Sequence, residues 1–237
     1  VGSIDVEGGD LISGPCPGFI PDVCMEANER LLPEQRRNQL GSDRFRLFGY
    51  PGWELIEAQM RKGWGERHSA AVNLHSPAHA PTVFRAMITQ KPYPVKSLLV
   101  SCSNPLLSYA NTKLVYNALL STDLLVTFDI TWTPTAILSD YVLPAACWME
   151  RPDMGNFASV GGYPLVQMGE AAVPARVPDE YERLNDYEFW RELGMRLGQT
   201  DHWPWKTFED VWEYRIEELM NKGGQTSLAD IVHDQRA

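Results

Sequence analysis

Small polar side chains gather where apolar runs stop, and that is where this sequence could do chemistry. The run Ser97-Leu98-Leu99-Val100-Ser101 gives way to Cys102-Ser103-Asn104-Pro105, and a second run, Leu124 to Phe128, ends on Asp129 with Thr131, Thr133 and Thr135 close behind. Short runs rich in Leu, Val and Phe read as buried strands, and the polar turns mark their ends. Hydroxyls, an amide and a carboxylate would then converge at two strand ends. A carboxylate there can accept hydrogen bonds from a ribose or from a guanine edge. The plainer reading makes Asn104-Pro105 and Thr133-Pro134 simple turn formers. Convergence at adjacent strand ends is what favours binding.

Those groups need elements to hold them. After the first turn, Leu114, Val115, Ala118 and Leu119 fall on one face of a helix, with Asn111 or Ser108 available as N-cap. A third run, Tyr141-Val142-Leu143, ends on Pro144. Strand, helix, strand is the βαβ unit of a parallel sheet, whose polar turns collect at one edge. Open α/β sheets bind ligands in the crevice beyond the carboxyl ends of their strands.

Around this block the patterns are simpler. Trp53, Ile56, Met60 and Trp64 suggest a helix over Gly52 to Trp64, and Val72-Asn73-Leu74 a short strand ending at the same edge. His75 and His79 have the spacing of a helical metal pair, but Pro77 and Pro81 exclude an ordinary helix there. Pro81 to Thr89 reads as a helix with Val83, Phe84, Met87 and Ile88 inward. Leu165 to Met168 suggests a last short strand. A helix begins at Asp179 or Asn185, carries Tyr187, Trp190, Leu193, Met195 and Leu197, and ends at Gly198; another runs from Phe208 to Met220 with Val211, Trp212, Ile216, Leu219 and Met220 on one side. The first fifty residues are rich in Gly, Pro, Asn and Asp, with a weak helical stretch over Cys24 to Leu32. A loop that long suits a functional segment or one packed on something else.

Composition narrows the classes. A net charge of −10 with no basic run argues against nucleic acid or an anionic membrane surface, and 44% apolar residues suffice for a packed core. No apolar stretch approaches the ~20 residues that a bilayer span needs. Cys16, Cys24, Cys102 and Cys147 lack metal-site spacing. Cys102 and Cys147 read as small buried residues; Cys16 and Cys24 read as free thiols, with a disulfide an unsupported alternative. No P-loop, nucleophile elbow, G-x-G-x-x-G or zinc signature is present, so a separate hydrolase or nicotinamide dehydrogenase lacks its expected marks.

Five short motifs occur in order: Ser103-Asn104-Pro105-Leu106, Asp123 to Asp129, Thr133-Pro134-Thr135-Ala136, Ser139 to Ala145 and Trp148-Met149-Glu150. Together they resemble the molybdopterin oxidoreductases, the dimethyl sulfoxide reductase and formate dehydrogenase superfamily. Each motif alone is weak; their order over about fifty residues makes the match specific. Ile4 to Asp10 is similar to a glycine turn that lies well inside family members, so the resemblance implies an internal segment of a longer protein. There are departures. Asn156, Ser159, Val160 and Gly162 stand where the family usually has threonine, asparagine, an acid and arginine, and Cys102 stands where glycine is frequent.

The resemblance implies an α/β fold with a three-layer, Rossmann-like, mainly parallel sheet. Its boundaries would be a loop-rich N-terminal segment over 1–71, the second half of a dinucleotide-binding domain over 72–198 and a helical C-terminal segment over 199–237. It implies molybdenum or tungsten held by molybdopterin guanine dinucleotide, with a 4Fe-4S cluster and the metal ligand outside this chain. Ser103, Asn104, Pro105, Asp129, Thr131, Thr133 and Thr135 would bind one dinucleotide. Partners would be the remaining domains of the parent chain and an iron–sulfur electron-transfer subunit, in anaerobic metabolism; the lack of an apolar span suggests a soluble protein, and the sequence leaves cytoplasm or periplasm open. Two alternatives remain open: a non-redox hydratase or hydroxyltransferase of the family, or a structural module that kept the fold and lost the metal.

Overall fold

The computed structural model describes residues 31–45, 49–52, 62, 78–160, 163–173 and 183–223. Expectations for Cys16, Cys24, the strand and histidine at 72–75 and, apart from residues 52 and 62, the helix over 52–64 lie outside the described residues.

A parallel three-stranded sheet is the frame: β1 (Ser97–Ser101), β2 (Leu124–Asp129) and β3 (Tyr141–Pro144), in the order β1-β2-β3. Registers of Ser101 against Phe128 and Asp129 against Pro144 bring the carboxyl ends together. Between β1 and β2 run a single-turn helix, α3 (Pro105–Ser108), and α4 (Thr112–Leu120); α5 (Pro134–Ile137) joins β2 to β3. Before β1 lie α1 (Pro33–Arg37) and α2 (Ala80–Thr89).

Helices cover both faces. Side chains alternate along a strand, so Leu125 and Phe128 of β2 point to opposite sides. On one side Val100 and Leu125 pack with Phe84 and Met87 of α2 and Val115, Ala118 and Leu119 of α4, all essentially buried. On the other, Phe128 stacks on Phe189, 4.5 Å between ring centroids, which docks α6 (Asp186–Arg196). The three-layer α/β expectation holds. α7 (Phe208–Gly223) buries Val211, Trp212, Ile216 and Met220 along its predicted face.

Local chemistry sets the ends. Asn111, not Ser108, caps α4, accepting from the Leu114 amide. Asn185, not Asp179, begins α6 in a reciprocal pair with Glu188, and Gly198 turns the chain away with a φ of 78° that glycine adopts freely. Asp140 accepts from the Leu125 amide at 2.7 Å, tying the start of β3 to β2. Residues 33–45 are fastened to the approach to β1, where the Tyr93 hydroxyl donates to Asn38 O at 2.7 Å.

Four expectations change. Ile88 faces outward and Ala86 takes its place in the core, because α2 turns its Phe84 and Met87 face to the sheet. Leu197 is exposed and Phe189 is the residue of α6 that packs on β2. Cys102 is exposed and Cys147 only half-buried; both lie in turns beyond strand ends, where no layer covers them. Finally, β4 (Asp153–Val160) pairs antiparallel with β5 (Tyr163–Gly169) as a separate hairpin, where only the second strand was expected.

Candidate functional site

The carboxyl edge of the sheet opens into a cavity of about 430 Å³ lined by Cys102, Ser103, Asn104, Asp129, Thr131, Trp148, Arg151 and Asp186 together with the apolar Phe128, Ile130, Ala145 and Ala146. Four of the sequence-predicted residues, Ser103, Asn104, Asp129 and Thr131, therefore meet on one surface.

The turn after β1 is shaped by Cys102, whose φ of 53° is left-handed. Non-glycine residues take this conformation at a cost, and it swings the chain so that Ser103 and Asn104 face the cavity. No backbone acceptor for the Ser103 or Asn104 amide exists among the described residues. Asn104 is held from behind. Its Oδ1 accepts from the Thr135 hydroxyl at 2.7 Å, and that hydroxyl accepts in turn from the Leu106 amide at 3.1 Å. Thr135 is fully buried, so it orients the turn without reaching the cavity. Ser139 continues the chain of contacts, donating to Thr135 O at 3.1 Å and bonding the buried Thr127 hydroxyl at 2.7 Å.

The second strand end is organised by its own acid. Asp129 Oδ1 accepts from the Thr131 amide at 3.1 Å, an Asx turn, and Asp129 O accepts from the Ala145 amide at 3.1 Å. Its other carboxylate oxygen has no protein donor among the described residues. Thr133 does not line the cavity; its side chain caps α5 by accepting from the Ala136 amide. Pro105 is buried at the first position of α3, where its missing N–H costs nothing.

The far wall comes from Glu150, which sequence reasoning quoted only as part of a motif, and from Arg151, Arg183 and Asp186, which it did not single out. Ala146 N donates to Leu184 O at 2.9 Å, and Glu150, whose side chain is 7% exposed, pairs with Arg183 while accepting from the Cys147 amide. That clamp brings Arg151 into contact with Asp186 at 3.4 Å. Arg151 follows directly on the Trp-Met-Glu motif, the one signal that could have pointed to it.

Chemically, the surface offers amides and a carboxylate oxygen without partners among the described residues, together with a hydroxyl and a guanidinium. That set can hold a ligand with both donors and negative charge. Among the described residues no cluster of three or more His, Cys, Asp or Glu could hold a metal ion directly.

Comparison with known proteins decides the family. Residues 49–195 match the model of the family described as molybdopterin oxidoreductase. The chain belongs to that family. Acetylene hydratase of Syntrophotalea acetylenica is 34% identical over 91% of this chain and 28% of its own length. Trimethylamine-N-oxide reductase of Haemophilus influenzae is 29% identical over 61% of this chain and 17% of its own length. A formate dehydrogenase alpha subunit of Methanocaldococcus jannaschii is 33% identical over 69% of this chain and 22% of its own length. Among solved structures, acetylene hydratase from Pelobacter acetylenicus superposes with a TM-score of 0.78 at 29% identity, covering 95% of this chain and 29% of that one. This molybdopterin oxidoreductase family member thus spans less than a third of the length of these relatives. No helix among its described residues is long and apolar enough to cross a membrane.

Proposed function

We propose that this chain is a cofactor-binding segment of a molybdenum or tungsten oxidoreductase that carries bis(molybdopterin guanine dinucleotide). The observation that carries the reading is the convergence of Ser103, Asn104, Asp129 and Thr131 on one cavity at the sheet's carboxyl edge, where open α/β folds bind nucleotides. The donor set suits the group: turn amides and Arg151 for phosphate oxygens, and the open oxygen of Asp129 for the N–H edge of guanine or a ribose hydroxyl. When bound, the metal centre would supply the redox and oxo-transfer chemistry. What this chain's residues do is bind and orient: Asn104 is fixed by Thr135, Asp129 by the Thr131 turn, and the far wall by the Glu150 and Arg183 pair. The protein ligand to the metal, a 4Fe-4S cluster and an iron–sulfur partner subunit belong, in this reading, to parts outside these residues.

A second reading, a hydratase that runs without net electron transfer, is favoured by one observation. Acetylene hydratase is similar over 91% of this chain, against 61% for the trimethylamine-N-oxide reductase. Turnover of an alkyne without any electron acceptor would select it; turnover only with an acceptor would select the redox reading.

The first test is elemental analysis of the full-length protein, purified without oxygen, together with fluorescence of its oxidised pterin. Two pterins per molybdenum or tungsten are expected. A folded protein containing neither would overturn the proposal in favour of a structural module.

A further inference from the structure

Outside the cavity, α3 and α5 present an apolar surface where free surfaces are ordinarily charged. The two single turns lie together, joined by the Leu106 amide donating to the Thr135 hydroxyl and by that hydroxyl donating to Asn104. Each buries one side and shows an apolar residue on the other. α3 packs Leu106 against the core and leaves Leu107 69% exposed, while α5 buries Thr135 and Ala136 and leaves Ile137 68% exposed. The loop leading into α5 adds Trp132, 74% exposed, and Ile130, 55% exposed. A threonine is thus buried while isoleucines and a tryptophan face out. Neither Cys102 to Thr112 nor Ile130 to Ser139 contains a charged residue, in a chain of which 22% is charged. Apolar side chains scattered singly over a surface are ordinary; several on adjoining elements, with no charge among them, mark a surface that other protein covers.

The kind of partner follows from that chemistry. Encounters that form and dissolve, as between redox proteins, use small contacts and are steered by charge, and these turns offer no charge to steer with. Permanent contacts are the more apolar ones, resembling a domain core cut in two, depleted of charge and anchored by aromatic side chains. The length of the relatives supplies a permanent neighbour, since this chain spans only 28% of the acetylene hydratase to which it is similar over 91% of its own residues.

We propose that α3, α5 and the loop carrying Trp132 form the docking face for an uncharged, apolar stretch of the same parent polypeptide that lies outside these 237 residues. The inference rests on the reading of this chain as a segment of a longer protein, and not on which ligand the cavity takes. Trp132 is the anchoring side chain, with Leu107 and Ile137 beside it. Ile130 belongs both to this face and to the cavity lining, so the docked stretch borders the cavity.

The test is photo-cross-linking of the purified full-length protein, with benzoylphenylalanine replacing Trp132 in one variant and Ile137 in another, and Lys113, exposed on α4, in a control. Adducts are mapped by mass spectrometry. Both test positions should join to one apolar stretch of the same polypeptide outside these residues, and the control should not reach it. Either position carries the test if the other variant fails to fold. Adducts confined to these 237 residues, a covalent dimer, a link to a separate subunit, or no adduct from either position would each overturn the proposal. As a second reading, Ile137→Lys should lower the melting temperature of the full-length protein by several degrees; a shift no larger than that of an ordinary surface change would also overturn it. Metal and pterin content decide the cofactor reading separately. A protein that contains neither and still yields the expected adducts keeps this docking face and loses that reading.

Discussion

Thr135→Val is the sharpest probe of how the first strand end is held. Valine keeps the shape and removes the hydroxyl, which donates to Asn104 Oδ1 at 2.7 Å and accepts from the Leu106 amide at 3.1 Å. Thr135 is 0% exposed, so water cannot replace it. Asn104 is half-buried and can turn its amide oxygen toward the cavity, so that bond costs about 1 kcal/mol. The Leu106 N–H loses the one side-chain acceptor it has among the described residues and cannot turn; an unpaired buried donor costs ~1–3 kcal/mol. The expected loss is therefore roughly 2–4 kcal/mol, or about 4–16 °C in melting temperature for a chain of this size. Urea unfolding followed by tryptophan fluorescence should show a lower midpoint at unchanged slope. A double-mutant cycle with Asn104→Ala isolates the side-chain pair, for which a coupling of about 1 kcal/mol is expected. A Thr135→Val chain within ~0.5 kcal/mol of wild type, the range of an ordinary surface change, would falsify the claim that this hydroxyl fixes the turn.

Three other perturbations have defined outcomes. A Cβ on Gly194 would overlap the Trp203 indole at Nε1 and Cε2, so Gly194→Ala should cost ~1–3 kcal/mol through overpacking; a denaturation midpoint unchanged from wild type would show that Trp203 moves aside freely. Glu150→Ala leaves Arg183, 19% exposed, without its carboxylate, and breaking such a pair costs about 3–5 kcal/mol; a neutral result in the same assay would mean the far wall is held by the Ala146 to Leu184 contact alone. Asp210 accepts from the Thr207 and Lys206 amides, which lowers its carboxyl pKa below the ordinary value. Its contribution is present above the unfolded carboxylate range and lost as pH falls through the lowered folded value. Asp210→Asn should therefore flatten the acid limb of the stability curve, and an unchanged acid limb would refute the assignment.

How much of this was legible beforehand depends on where the deciding contacts lie. The strand ends were readable because burial on both faces makes parallel strands near-continuous apolar runs, and Asn104 and Asp129 interrupt them. The same local pattern narrowed the N-cap of α4 to Asn111 or Ser108, and the contact with the Leu114 amide selects Asn111. Thr135 was readable as a position and not as a role: its neighbours in sequence do not tell whether the hydroxyl points out to a ligand or back to Asn104, 31 positions away. Ile88 was misplaced for a related reason, since helical periodicity fixes a stripe to within about one residue and the sheet chooses which edge of it to bury. The hairpin of β4 and β5 was half-missed because Asp153 to Val160 lacks the clean alternation that marks a half-buried strand.

The far wall of the cavity explains why a motif can be noticed long before its purpose is seen. Trp-Met-Glu was legible as a motif, yet no spacing rule links Glu150 to Arg183 or Arg151 to Asp186, separations of more than thirty residues that exist only once α6 docks on β2 through Phe128 and Phe189. Phe128 is thus shared. One residue short of Asp129, it carries the stacking that brings α6, and with it Asp186, to the edge where Asp129 ends the strand. A substitution there, such as Phe128→Ala, acts on the core and on the far wall at once. Docking of α6 and assembly of the binding edge are in this way a single packing event, and ligand affinity should track the integrity of that stack as closely as it tracks the polar groups that touch the ligand.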